Sequence, residues 1–223
     1  MAMTMTRQDT TAMATARRAF GLVACAMLYA TALNAQTQPD TVRGNWRFSA
    51  SAGAYAPRSA LIVAADSNDT RLGSAPVFAL EGQYQAWSAV AIYADGMVSF
   101  PTIFLGSSIR PAVVGPSNQV MLVGGTAGVM VSPGSGHFRP TLRLGGGFKW
   151  YMFDLAGAED AFSPTVDIGL GFRAVGYGPL EVMAEIRYLP SSFDQAKLPT
   201  RGITPQDQRQ NDLAFTIGIG IRP

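Results

Sequence analysis

Apolar and polar residues alternate with a period of two through most of this chain, the repeat of strands whose successive side chains face opposite ways. In Phe138–Met152, Phe138, Pro140, Leu142, Leu144, Phe148, Trp150 and Met152 share one parity, and Arg139, Thr141, Arg143, Lys149 and Tyr151 share the other. Pro164–Ala174 sets Val166, Ile168, Leu170 and Phe172 against Asp167, Gly169, Gly171 and Arg173. Leu180–Tyr188 sets Leu180, Val182, Ala184, Ile186 and Tyr188 against Glu181, Met183, Glu185 and Arg187. Near the C-terminus Leu213, Phe215, Ile217, Ile219 and Ile221 alternate with Asp212, Ala214, Thr216, Gly218, Gly220 and Arg222.

Four earlier segments follow the same rule. Trp46–Ala56 carries Arg47, Ser49, Ser51 and Tyr55 on its polar side, Phe78–Ala86 carries Glu81, Gln83 and Gln85, and Val90–Phe100 carries Tyr93 and Asp95. Gln119–Val131 is the weakest, apolar on both faces and glycine-rich, and is still read as a strand. Each of the eight is long enough for the roughly 9–11 residues a tilted strand needs to cross a bilayer. Short links (around Trp87, Ser132 to His137, Gly176-Tyr177-Gly178) alternate with long ones, at about Pro57–Pro76, Pro101–Asn118, Phe153–Ser163 and Leu189–Gln210. The spacing predicts an antiparallel meander with short turns at one end and long loops at the other.

Composition decides what surrounds these strands. Apolar residues make up 48% of the chain and charged residues 14%, against about 25% charged in soluble proteins. With only two lysines, Lys149 and Lys197, the chain is no candidate for nucleic-acid binding. Aromatic residues of the apolar parity fall into two groups. Trp46, Tyr84, Phe138 and Phe172 lie at the short-turn end, and Phe78, Phe100, Trp150, Tyr188 and Phe215 at the long-loop end, where two lipid–water boundaries would place them. A soluble sandwich would instead bury its apolar face against a second sheet. The predicted fold is all-β: an eight-stranded antiparallel up-and-down transmembrane β-barrel.

The polar parity must then face the lumen. It holds Arg47, Arg139, Arg143, Lys149, Arg173, Arg187 and Arg222, against Glu81, Asp95, Asp167, Glu181, Glu185 and Asp212. An eight-stranded barrel is just wide enough to be filled by side chains, so these charges are expected to pair as a structural network, with a gated polar path as the alternative. Arg47 and Arg222 stand nearest the rim, where solvation is the expectation.

Residues 1–35 read as a secretory signal peptide. Arg17 and Arg18 precede the uncharged run Ala19 to Leu33, which is too short for a comfortable span, and small residues suit cleavage after Ala32 or Ala35. A lipoprotein box at Leu22–Cys25 and a twin-arginine signal fit less well, and Met13 is an alternative start. Removal takes Arg7, Arg17, Arg18 and Asp9, which cancels the formal +2 of the whole chain, and takes the only cysteine. The barrel domain is then expected over 36–223.

Taken together, these strands, belts and loops resemble the small outer-membrane β-barrel proteins of the OmpA/OmpX type, a resemblance of pattern and not of any specific motif. It implies a monomer in the cell outer membrane, in contact with lipid and lipopolysaccharide and inserted by the barrel-assembly machinery. The implied role is structural or surface-interactive, without cofactor or metal, and no further domain is expected after the last strand. One departure is the ending Ile221-Arg222-Pro223, where such barrels commonly finish on an aromatic residue that the machinery reads. The first alternative is a narrow conduit for small or hydrophobic solutes, of the OmpW type. The second is a lipid-modifying barrel enzyme like the lipid A deacylases and palmitoyltransferases. For that one, the single histidine, His137, stands in a short turn beside Ser132 and Ser135, at the wrong end of the barrel. Loop acids (Asp66, Asp69, Asp154, Glu159, Asp160, Asp194, Asp207) read as solvated surface, or as bridges through divalent cations to lipopolysaccharide.

Overall fold

The computed structural model describes residues 46–64, 66, 68–87, 89–109, 118–133, 137–175, 178–201, 204 and 207–222. The expected signal peptide and both candidate cleavage positions lie outside these residues. Eight long strands form the wall: β1 (Trp46–Pro57), β2 (Ala75–Gln85), β3 (Val90–Ser99), β4 (Val120–Val131), β5 (Phe138–Phe153), β6 (Ala161–Val175), β7 (Leu180–Tyr188) and β8 (Asp212–Ile221). Each pairs antiparallel with its sequence neighbours, β8 pairs with β1, and the sheet closes into an eight-stranded up-and-down barrel. The weakly patterned Gln119–Val131 is a full strand, with ladders on both edges.

The parity read from the sequence sorts the two faces. Leu144, Leu170, Ile217 and Ile219 are each about 60% exposed or more, while Arg143, Lys149 and Asp167 are at or below 1%. This arrangement inverts a soluble protein and requires a lipid solvent outside. Trp46 stacks on Phe48 and meets Tyr84 edge-on at the short-turn end, and Phe148 stacks on Phe162 towards the other. Two prolines sit on lipid-facing positions without breaking the ladder. Even-numbered amides of β6 point towards β7, and Pro164 lies beyond the last pair of that edge, Ser191↔Thr165. Pro140 likewise falls past Val131↔Leu142, where β4 has ended. Their missing N–H groups cost no strand hydrogen bond.

The wall continues above the long strands. Ser191–Asp194 and Asp207–Gln210 form a hairpin that prolongs β7 and β8, and Ser191 pairs with Thr165 of β6. Alongside runs a three-stranded sheet from the first two long loops, made of Ala60–Ile62, Thr70–Leu72 and Ile103–Phe104. The Arg58 amide donates to the Asn211 carbonyl at 2.9 Å, and the Gln210 side chain to the Ala60 carbonyl at 2.8 Å, which ties the two extensions together.

Candidate functional site

Two tiers of different chemistry fill the interior. The lower tier is built round Arg143, on the inward parity of β5. Its guanidinium reaches Glu81 at 2.8 Å, Asp95 at 2.7 Å, Asp167 at 2.8 Å and Glu185 at 2.9 Å, from four other strands. The Tyr93 ring lies 4.0 Å from its central carbon, closing one face of the cation. Arg187 adds ion pairs to Asp95 at 2.6 Å and Asp167 at 2.9 Å. Four carboxylates thus share two arginines, and hydroxyl donors from Tyr93 and Thr126 complete Asp167 and Asp95. Register explains the need for a hub. Glu81 stands directly opposite Asp95, a like-charge pair that repels unless one cation bridges it.

Space for this hub comes from small residues on the neighbouring strand. A Cβ on Gly169 would lie 2.4 Å from Arg143 Cγ and 2.5 Å from its Cδ. Such contact near the root of the side chain would push the guanidinium away from its partners.

The other inward charges form satellites. Arg173 donates to the Gln83 side chain at 2.7 Å and lies 3.5 Å from Glu81 and 3.8 Å from Glu181. Arg47 and Arg222, expected to be solvated at the rim, instead converge on Glu181 at 3.6 and 2.7 Å, with side chains only 11% and 15% exposed. The rim is narrow enough for one buried carboxylate to recruit both. Arg139 sits opposite Arg173 in the register, half-buried towards the short-turn end. Lys149 stands apart from the hub. Fully buried, it donates to Asp212 at 2.5 Å, to the Leu189 carbonyl at 2.5 Å and to Ser191 at 3.3 Å, and Asp212 also accepts from the Tyr55 hydroxyl at 2.5 Å.

Above this pair the lumen turns apolar, which alternation within strands gives no sign of. Tyr55, Val77, Met97, Leu122 and Tyr151 from the wall pack with Leu61, Ile62, Leu72, Ile103, Leu155, Phe193 and Leu198 from the long loops. All four long loops contribute to this core, which closes the lumen at the long-loop end. Tyr151 meets Phe193 edge-on at 5.5 Å. The residues that sequence reasoning passed over are therefore Thr126 and the loop apolar residues, the latter visible only as a hydrophobic residue every few positions in otherwise polar stretches.

The remaining candidates lie outside the lumen. His137 is exposed at the short-turn end, its Nδ1 3.2 Å from the Val175 carbonyl. Several loop acids are engaged locally. Asp66 accepts from Ser107 at 2.7 Å and from the Asn68 amide, Asp69 accepts from the Ala64 amide, Asp194 caps the turn at Gln195–Lys197, and Glu159 pairs with Lys197.

A closed meander of eight strands, greasy outside and ionic within, defines a small transmembrane β-barrel of the outer-membrane type. Among solved structures it is similar to Neisserial surface protein A, with a TM-score of 0.53 and 14% identity over 81% of this chain and 98% of that one. It is similar also to the outer membrane protein OprG from Pseudomonas aeruginosa, at 0.54 and 14% over 82% and 99%. The outer membrane protein AlkL, determined in lipid bilayers, gives 0.51 and 15% over 83% and 92%. At such identities the likeness is one of fold. No protein-family model and no curated protein matches the chain.

Proposed function

We propose that the protein is exported by its N-terminal signal peptide and works in the outer membrane as a sealed, monomeric, non-enzymatic barrel with a structural or surface-interaction role. The barrel-assembly machinery would insert it, and neither cofactor nor metal takes part. The observation that carries this reading is the pair of plugs in series: an ionic layer centred on Arg143 and an apolar cap round Phe193. A solute would have to break buried ion pairs and then a packed core, each step costing several kcal/mol. The lumen charges Glu81, Asp95, Arg139, Arg143, Lys149, Asp167, Arg173, Glu181, Glu185 and Arg187 are read as structural.

Planar-bilayer recordings of the refolded protein test the seal. A flat baseline is expected, and discrete conductance steps would favour the conduit instead. The enzyme alternative is tested by His137→Ala, which is expected to leave the lipid A composition of cells carrying the gene unchanged.

A further inference from the structure

Four arginines crowd the short-turn end of the lumen. Arg139 stands directly opposite Arg173 in the register of β5 and β6. One step beyond Phe48↔Ile221, the register of β1 and β8 sets Arg47 beside Arg222. Like charges so placed repel, and Arg139, Arg173 and Arg222 are all close enough to repel Arg47. The hub meets the same difficulty with the sign reversed: Glu81 faces Asp95, and Arg143 bridges the pair at 2.8 and 2.7 Å. At the short-turn end the bridging group is Glu181, 2.7 Å from Arg222, 3.6 Å from Arg47 and 3.8 Å from Arg173. Glu81 also lies 3.5 Å from Arg173, but it is already held by Arg143. One carboxylate thus serves three guanidinium groups, and the hub's surplus of acid is turned towards Arg143 and Arg187.

Unmet hydrogen bonds gather at the same end. Arg173 is 4% exposed, and its Nε–H finds no acceptor. The Nε–H of Arg222 is likewise buried and unpartnered, although its Nη2 donates to Glu181. The Ser132 hydroxyl, buried one residue past the last pair of β4 with β5, has no partner either. The unpartnered acceptor here, Gln85 Oε1, belongs to an amide whose nitrogen donates to the Trp87 carbonyl. Buried donors without acceptors are costly and rare. Water satisfies such donors but leaves the charge uncompensated; a compact anion does both. The forked edge of a guanidinium suits the oxygens of a tetrahedral oxyanion, with paired, charge-assisted hydrogen bonds. Access is from the short-turn side, where Arg139 is half-buried and the Arg222 side chain 15% exposed.

We infer that Arg47, Arg139, Arg173 and Arg222 hold a small dianionic oxyanion, of the phosphate or sulfate kind, in the short-turn mouth of the lumen. The ion gives this end the neutralisation that Arg143 gives the hub. It enters and leaves by one mouth, because the ionic layer and the apolar cap close the way beyond. The site goes beyond the sealed-barrel reading and rests only on closure of the wall.

The full chain, refolded in detergent, tests it by calorimetric titration with sodium sulfate and with sodium phosphate, each replacing chloride at constant ionic strength. One saturable site is expected for both ions. Sulfate should also raise the urea midpoint of the parent, since an ion held only by the folded state stabilises it. Arg139→Gln/Arg222→Gln is expected to bind about tenfold more weakly or worse, and the outer-wall variant Arg58→Gln/Arg209→Gln to bind like the parent. Arg139→Gln alone should show a smaller loss, which keeps the inference testable if the double variant does not fold. The site is overturned if the parent shows no saturable binding, if chloride competes as well as sulfate, or if the folded double variant binds unchanged. Migration of each unboiled sample in SDS reports the barrel separately, so a failed site and a failed barrel give different results.

Discussion

Arg143 shows how one side chain organises a lumen. With four carboxylates within hydrogen-bonding distance and a side chain 1% exposed, its removal strands four acids that are largely shielded from water. Arg143→Met is expected to cost about 3–5 kcal/mol in urea unfolding from lipid vesicles, the usual penalty for orphaning buried charge. Gly169→Ala attacks the same hub from outside it. The added carbon meets Arg143 within 2.5 Å, so a loss of about 1–3 kcal/mol is expected by the same measurement. A neutral result there would mean that the hub relaxes freely. Every charge of the hub was legible in sequence as a polar residue of inward parity. Which acid meets which cation was not, because that depends on the stagger of strands far apart in the chain.

At the level of elements, the lipid face and the loop cap obey opposite rules. On β5 and β6, Leu142 and Ile168 face hydrocarbon at 50% and 41% exposure. An arginine at either is expected to cost about 2–4 kcal/mol if it lies near the bilayer midplane, read as a lower urea midpoint. In the cap, Phe193 is fully buried between Tyr151 and Phe153. Phe193→Ala is expected to remove about 3–5 kcal/mol of local packing, and protease should then cut the long loops while the membrane strands survive. The first two loops are also clasped by Asp66, whose carboxyl is held below its ordinary value by the Ser107 hydroxyl and the Asn68 amide. A depressed acid stabilises the folded form above the unfolded value of about 3.9. That contribution fades as pH falls through the folded value. Hydrogen-exchange protection in these loops, taken relative to the intrinsic exchange rate at each pH, should therefore fall on acidification below about pH 4, and Asp66→Asn should remove the dependence.

For the whole molecule, closure of the sheet is the source of its resistance, since a barrel leaves no edge for solvent or another chain to pair with. An unboiled sample in SDS should migrate as a compact band distinct from the boiled one. Coincident bands would argue against the closed wall. Charge inside and oil outside also separate two responses to salt. The buried hub should be nearly insensitive to ionic strength, whereas exposed pairs such as Lys197 with Glu159 should weaken.

Strand number, antiparallel order, the two faces and the alternation of short and long links were all determined by the sequence, because a period-two pattern is local and a bilayer rewards it directly. Even Gln119–Val131, where the pattern is weakest, was legible as a strand. The tertiary structure alone decided that Arg47 and Arg222 close on Glu181 and that Arg143 is the hub. It alone turned the long loops into an apolar plug. Those outcomes depend on register and closure, which bring residues more than a hundred positions apart to within a few ångströms, and no periodicity along a single strand encodes that distance.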